Sequence, residues 1–365
     1  MRLHPQLKDI HSRLVELIQN GEPAALVTLI DTHGSTPQIP GFSALFTTRG
    51  LLWGTLGGGI LEKDAETRAV SALSSRESML YEFALEADLT SPEGAICGGG
   101  VTVLIDADPA RNLAAFQSLV QSLDQRRPGS LATWIVREDE HIRVGRIWVP
   151  SGTEASVDAE PFAGFRDAIA ASLVRKRPES IPLSGDRVSP GSTAELLFVE
   201  PVFPLPRLVI AGAGHIGAAM AHLGSRLEFE VTVIDDRAEF ANAENLPYAD
   251  HIHVAAVGKT LRELPVGDDT YIVIVTRGHK DDGEALRACI TSEAAYVGMI
   301  GSRNKTLLMR DHFLEQGWAT PGQWDRVHTP IGLEIQSQTV EEIAVSIAAQ
   351  LVLERSRAAR QNTNP

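Results

Sequence analysis

Residues Arg207 to Gly217 read RLVIAGAGHIG: an apolar, strand-like run breaks into three spaced glycines, and a second apolar run, Val231 to Ile234, ends on Asp235-Asp236. Strand, glycine turn, helix, strand and terminal acid follow one another in the order of a dinucleotide-binding unit. In such a unit Gly212 permits the tight turn, Gly214 lets backbone approach a pyrophosphate, and Gly217 allows close packing of helix on strand. Asp235 is then placed to accept from ribose hydroxyls. The same glycines also serve a strand-to-helix turn that binds nothing, so the fingerprint constrains the fold more tightly than the ligand.

With 365 residues the chain suits two domains rather than one. A formal charge of −14 leaves no basic field to attract a nucleic acid or an anionic membrane. A small anion needs only local donors and stays open. Two cysteines, Cys97 and Cys289, form no disulfide framework, and no apolar core follows a basic start as in a secretory leader. A reducing cytoplasm is the expected compartment. Apolar stretches such as Ala24 to Leu29 are strand-sized, well short of the ~20 residues that a membrane helix needs.

Helical spacing of Leu7, Ile10, Leu14, Leu17 and Ile18 predicts a first helix that stops at Asn20-Gly21. Strand-like runs follow at 24–30, 43–47, 51–55, 79–85 and 101–105, with a helix near 61–73. After Asp108-Pro109 the pattern is helical through Leu123, and a hairpin of 131–136 and 142–149 comes next. The stretch 176–206, rich in Pro, Ser and Gly, reads as the passage between domains, with one strand-like run at 194–199. From Arg207 onward strands at 207–211, 231–234, 252–255, 271–275 and 296–300 alternate with helical segments. The expected fold class is therefore α/β: an N-terminal mixed α/β domain over 1–200, hairpin and linker included, and a Rossmann-type, doubly wound parallel sheet over 201–365.

Ligands of such sheets bind beyond the carboxyl ends of the strands, and three polar clusters fall there: Thr276-Arg277-Gly278-His279-Lys280-Asp281, Gly301-Ser302-Arg303-Asn304-Lys305, and Arg326-Val327-His328 through Gly332. They are expected to converge on one crevice. Ser302 ahead of a helix, with Arg303 and Lys305, has the make-up of an anion cradle; the plain alternative is a solvated helix cap. His215, at a helix N-terminus, is expected to be neutral and hydrogen-bonding. In the N-terminal half the informative pieces are His33-Gly34-Ser35-Thr36-Pro37, Gly54-Thr55-Leu56-Gly57-Gly58-Gly59 followed by Glu62, and Cys97-Gly98-Gly99-Gly100. Glycine strings bare the backbone, so amides can crowd an anion or a flat heterocycle; a bulge or a close backbone crossing is the alternative. A thiol among glycines suits soft-metal or thiolate chemistry, which makes Cys97 a candidate metal contact, whereas Cys289 sits in the helical pattern 285–290 as a small buried hydrophobe.

Taken in order, Gly34-Ser35-Thr36-Pro37, GTLGGG ending near Glu62, Cys97-Gly98-Gly99, GAGHIG, Asp235-Asp236-Arg237, VTRGHKDD, GMIGSRNK, RVHTPIGL and EEIAVSI resemble the XdhC/CoxI family. That family comprises accessory proteins that bind molybdenum cofactor and mature xanthine dehydrogenase and related molybdenum hydroxylases. The resemblance implies an insertion chaperone that is no enzyme itself and takes molybdenum cofactor (molybdopterin). It implies an apo-molybdenum hydroxylase as client, with a cysteine desulfurase for cofactor sulfuration and a second copy of the chain as further partners. It implies cofactor contacts at Gly57, Gly58, Gly59, Cys97, Gly98, Gly99, Gly212, Gly214, His215, Gly217, Asp235, Arg277, His279, Ser302, Arg303, Lys305 and His328. Departures are Gln38 and Phe42-Ser43, where relatives carry basic residues, and Gln336-Ser337 and Thr339-Val340 before the last helix, where Thr339 with Glu342 still makes an N-cap. The competing reading is an NAD(P)-dependent oxidoreductase with the cofactor in the Rossmann crevice and His279 or His328 as acid or base. The sequence shows a binding fingerprint for it but no catalytic pair at defined spacing.

Overall fold

A computed structural model describes residues 9–36, 38–85, 99–139, 141–184 and 194–361, with side chains described through Arg357. The chain divides into two compact units, Leu7–Pro204 and Leu205–Pro365. In the first, α1 (Ile10–Gln19) starts where the Asp9 carboxylate accepts from the Ser12 amide at 3.1 Å and stops at Asn20, followed by Gly21 at φ +70°. There follow β1 (Ala25–His33), β2 (Ser43–Thr47), β3 (Gly50–Gly54), α2 (Gly59–Ser75), β4 (Met79–Ala84), β5 (Gly100–Asp106), α3 (Leu113–Asp124), β6 (Gly129–Glu138), β7 (His141–Pro150), α4 (Arg166–Arg175), β8 (Glu179–Ser184) and β9 (Ala194–Val202).

These strands form two antiparallel sheets, in the orders β3-β2-β1-β5-β4 and β7-β6-β9-β8. Small residues on α2 (Ala65, Ala69, Ala72) let it lie close on Val27, Leu29, Val101 and Val103 of the first sheet. The opposite face of that sheet, through Leu26, Leu45, Ile30 and Leu104, packs with α1 and α3 and with Leu131, Ile135 and Phe198 of the second sheet. The passage expected over 176–206 thus contains two strands. β9 is an inner strand of the second sheet, and β8 was hidden because Pro182 sits on its half-buried edge, where a missing N–H is tolerated.

The second unit contains β10 (Arg207–Ala211), α5 (His215–Arg226), β11 (Glu230–Asp235), β12 (His251–Val254), α6 (Val257–Glu263), β13 (Thr270–Ile274), α7 (His279–Cys289), β14 (Tyr296–Met299), α8 (Arg303–Glu315), α9 (Pro321–Asp325), β15 (Val327–His328) and α10 (Val340–Gln361). All six strands are parallel, in the order β12-β11-β10-β13-β14-β15. Numbered from β10 this is 3-2-1-4-5-6, the Rossmann order, with its switch point between β10 and β13. Strands of such a sheet are apolar on both faces because helices cover both. Leu208 and Ile210 meet α5 and α10 on one side, while Val209 and Ala211 join the core of α6, α7, α8 and α9 on the other. Thr339 and Glu342 exchange backbone bonds at the start of α10 (3.2 and 3.0 Å), a capping box that replaces the missing proline. Among the described residues no helix is long and apolar enough to cross a membrane.

Candidate functional site

At the switch point the fingerprint glycines play separable parts. Gly212 has φ +119°, and a Cβ there would overlap the Val275 carbonyl; a Cβ on Gly217 would overlap the Gly212 carbonyl oxygen. Both are demanded by the chain itself. Gly214 is different: its backbone is extended (φ −70°, ψ −173°), any residue can adopt that conformation, and a Cβ there meets nothing within 4 Å. It opens α5, whose first amides receive no side-chain cap. His215 is exposed beside it. The open volume over Gly214 fits the close approach of an anion to a helix N-terminus.

Asp235 lies at the end of β11 as expected, but its carboxylate is turned inward and is only 4% exposed. It accepts from the Ala213 amide (2.8 Å), the Arg237 amide (3.0 Å) and the Arg237 guanidinium through Nε (2.9 Å) and Nη2 (2.8 Å). Four donors fill the four lone-pair sites of a carboxylate. Burial pushes its pKa up, but the Arg237 fork and the two amides outweigh it and hold the group at about 2. The ribose role expected of Asp235 is therefore displaced: its acceptor capacity is spent on tying the glycine loop to the second strand. Asp235 and Asp236 both border a cleft lined also by Gly212, Arg237, Gly258, Thr276, Arg277 and Glu284 among others, and of the two Asp236 has the exposed carboxylate. Arg277 spans that cleft, donating to Asp236 at 3.2 Å and to Asp281 at 3.0 Å.

The first of the three polar clusters thus joins the fingerprint, and the other two do not line its cleft. Ser302 is the N-cap of α8, accepting from the Lys305 amide at 3.3 Å. Lys305 donates its ammonium to Asp282 at 2.5 Å, a carboxylate 1% exposed that also holds the Thr276 hydroxyl (2.5 Å) and amide (3.2 Å). Of the expected cradle, Arg303 alone stands exposed with its charge uncommitted among the described residues. His279 is exposed at the first position of α7. His328 stacks on Tyr296 with centroids 4.6 Å apart, and its Nδ1 accepts from the Gln350 amide at 3.4 Å, whose oxygen takes the Tyr296 hydroxyl (2.6 Å) and the Gly332 amide (2.8 Å). Burial lowers the His328 pKa, which favours the uncharged ring. Its place is in packing at the sheet edge rather than as an acid or base in the crevice.

The N-terminal unit offers a second arrangement. The register places the end of β1, the start of β2, the end of β3, the end of β4 and the start of β5 at one end of its first sheet. Gly99 is there because backbone crosses backbone: a Cβ would come within 2.5 Å of the His33 and Ser35 carbonyl oxygens. Cys97 and Gly98 lie outside the described residues. Gly57, Gly58 and Gly59 take φ values of +104°, +73° and +64°, a run only glycine adopts freely. Cβ atoms on Gly58 and Gly59 would meet nothing within 4 Å. α2 begins there without a side-chain cap, and Glu62 fixes the turn from behind, accepting from the Thr55 hydroxyl (2.7 Å) and the Leu56 amide (2.9 Å). At the start of β2, Ser43 shares a hydrogen bond with Thr28 across the sheet at 2.8 Å. Among the described residues no group of three or more His, Cys, Asp or Glu is placed to hold a metal ion.

Comparison with known proteins gives matches along both units. The family model of the XdhC Rossmann domain matches residues 208–351, and that of the XdhC and CoxI family matches residues 17–84. A probable xanthine dehydrogenase subunit from Bacillus subtilis (strain 168) is 25% identical over 355 residues, 96% of this chain and 99% of the relative. The molybdenum cofactor insertion chaperone PaoD from Escherichia coli (strain K12) is 21% identical over 341 residues, 92% of this chain and 85% of the relative. A crystal structure described as a xanthine dehydrogenase from Bacillus halodurans superposes with a TM-score of 0.71 at 24% identity, covering 97% of this chain and 98% of the other. At that identity it supports the fold.

Proposed function

We propose, from the premise that this chain belongs to the XdhC and CoxI family, that it is a carrier which binds molybdenum cofactor and hands it to an apo-molybdenum hydroxylase of the xanthine dehydrogenase type. The observation that carries the reading is the start of α2, which has no side-chain cap: among the described residues nothing lies within 4 Å of a Cβ placed on Gly58 or Gly59, while the Gly57 amide is held by the Thr55 hydroxyl at 3.0 Å. A reduced molybdopterin brings a phosphate, which favours helix N-termini, and a flat pterin, which needs hydrogen bonds from fixed donors. Cys97, two residues before Gly99 in the chain, is the proposed thiol partner for the soft metal centre of the cargo. The crevice residues Gly212, Gly214, His215, Gly217 and Arg277 are kept for a second phosphate-bearing ligand. A cysteine desulfurase is the proposed source of sulfur for the bound cofactor, and a reducing cytoplasm the proposed compartment.

For the oxidoreductase alternative the described residues supply no acid–base pair, since His328 is packed on Tyr296 and His279 stands exposed without an orienting partner. Anaerobic purification with molybdenum analysis, followed by transfer to an apo-hydroxylase, tests the carrier reading. Native protein should retain pterin and molybdenum and restore hydroxylase activity, while Gly58→Ala and Cys97→Ala should load or deliver less. A chain that holds neither pterin nor molybdenum and oxidises or reduces a substrate with NAD(P) would sink the proposal.

A further inference from the structure

We infer that the N-terminal unit binds a small planar aromatic anion, a carboxylate or a phosphate ester, at the edge of β7, with Trp134 as the platform for its ring and Arg76 as the partner of its charge. The site lies at the opposite end of the first sheet from the glycines of α2: Arg76 closes the far end of that helix, Ser78 precedes β4 and Asp106 ends β5. It goes beyond the carrier reading and does not depend on it. The first support is a cavity of about 510 Å³ that these residues enclose together with β6 and β7. Small-molecule sites fall in the range of ~300–1,000 Å³ and combine an apolar lining with a few polar groups. Here the apolar part comes from Trp134, Val136, Ile142 and Val144.

The second support is Gly145, which lines the same cavity and pairs with Trp134 across β7 and β6. Paired residues of neighbouring strands share a face of the sheet. A glycine inside a strand weakens it, and is ordinarily explained by a bulge or bend, by another backbone passing close, or by a ligand that does so. The register of β7 on β6 runs unbroken from Gly129 and Pro150 to Glu138 and His141, so no bulge interrupts it. Among the described residues nothing lies within 4 Å of a Cβ placed on Gly145, so no backbone crosses there, and its φ is not one reserved for glycine. The missing side chain leaves open cavity on the Trp134 face. Phe162 and Phe165 hold the Trp134 ring, with centroids 6.2 and 5.6 Å away, so the platform is set before a ligand arrives.

The third support is charge. Asp106, buried in the wall, is matched by the buried Arg146 and by the Asp108 amide at 3.1 Å, and Asp108 holds Arg111 at 2.8 Å. Glu77 is exposed and lies 4.0 Å from His141. Arg143 reaches Glu138, but that pair and the pair of Arg111 with Asp108 are solvent-exposed, and such pairs are weak and readily exchanged. Arg76, also exposed, lines the cavity with no carboxylate in reach among the described residues. An entering anion therefore meets one uncommitted guanidinium and two that can turn to it, and a guanidinium takes a carboxylate or a phosphate through paired N–H groups. A cation would have to displace an arginine from Asp106 or Asp108.

Calorimetric titration of the full chain with 2-naphthoate, 2-naphthyl phosphate and 2-naphthol tests this, because the ring stays constant and only the head group changes. At least one of the two anions should bind, and the tighter of them tells a carboxylate site from a phosphate site. Uncharged 2-naphthol should be at least tenfold weaker. Arg76→Ala should weaken the tighter anion at least fivefold and leave 2-naphthol unchanged. Gly145→Leu, which fills the opening beside Trp134, should weaken anion and naphthol alike at least tenfold. Circular dichroism melts check that both variants are folded, and should Gly145→Leu fail to fold, Arg76→Ala decides. Absence of binding by both anions at millimolar concentration, 2-naphthol binding as tightly as the tighter anion, or an anion affinity that Arg76→Ala does not move overturns the inference.

Discussion

Replacing Asp235 by asparagine separates a lock from a ligand contact. In the native chain the carboxylate is held at a pKa of about 2 against an ordinary 3.8, which corresponds to about 2 kcal/mol of stability at neutral pH. Asparagine keeps the shape but turns one acceptor oxygen into a donor, so either the Ala213 amide and Arg237 Nη2 or the Arg237 amide and Nε lose their partner; the guanidinium can turn to water, and the unpaired amide adds roughly 1 kcal/mol. A total near 3 kcal/mol should lower the urea midpoint by roughly 1.5 M if the slope is about 2 kcal/mol/M. Trp318 and Trp324, both in the C-terminal unit, report its unfolding through tryptophan emission. The sign follows from a depressed folded pKa: the contribution is complete above pH ~4 and is lost as pH falls through ~2, so native and variant curves should converge on acidification. A loss under ~0.5 kcal/mol, or a difference unchanged between neutral and acid pH, would refute the lock. It would return Asp235 to the ribose role.

The two helix-start glycines should answer differently to substitution. Gly217→Ala, whose Cβ would overlap the Gly212 carbonyl oxygen, should cost ~3 kcal/mol in thermal or urea unfolding, whereas Gly214→Val, whose Cβ position is open, should stay within ~1 kcal/mol of native. For the thiols, Cys289 is 1% exposed and burial pushes its pKa up to about 12, so iodoacetamide should label Cys97 first and reach Cys289 only after unfolding; peptide mapping that finds Cys289 modified first contradicts this.

Much of the C-terminal fold can be read in the sequence because a parallel sheet covered on both faces writes its strands as unbroken apolar runs, as at Leu208 to Ala211 and Tyr271 to Val275. β15 escapes that pattern, being two half-buried residues long, and so does β8, an edge strand interrupted by Pro182. Site residues were legible as types and less so as partners. Asp235 stands where the fingerprint puts it, yet which of two adjacent acids keeps an exposed carboxylate depends on Arg237, two residues on, whose fork occupies the first one. That Asp-x-Arg spacing at a strand end was the available signal. Lys305 carried the look of a phosphate donor, and nothing local in sequence reveals that Asp282, on another helix, claims its charge. Departures in the N-terminal loop had the same character: Ser43 is occupied by Thr28 across the sheet, a pairing fixed by register.

The three-glycine start of α2 has a kinetic consequence. A surface of amides without side chains has no rotamers to freeze when a ligand lands and none to repack when it leaves. The left-handed torsions at Gly57, Gly58 and Gly59 are already set in the fold, so the ordering cost falls on folding and not on each encounter. For the carrier role proposed above, the rates of loading and release would then both depend on the cargo's own hydrogen bonds. A residence time governed in that way shortens as soon as a recipient offers competing donors, without any movement in the carrier.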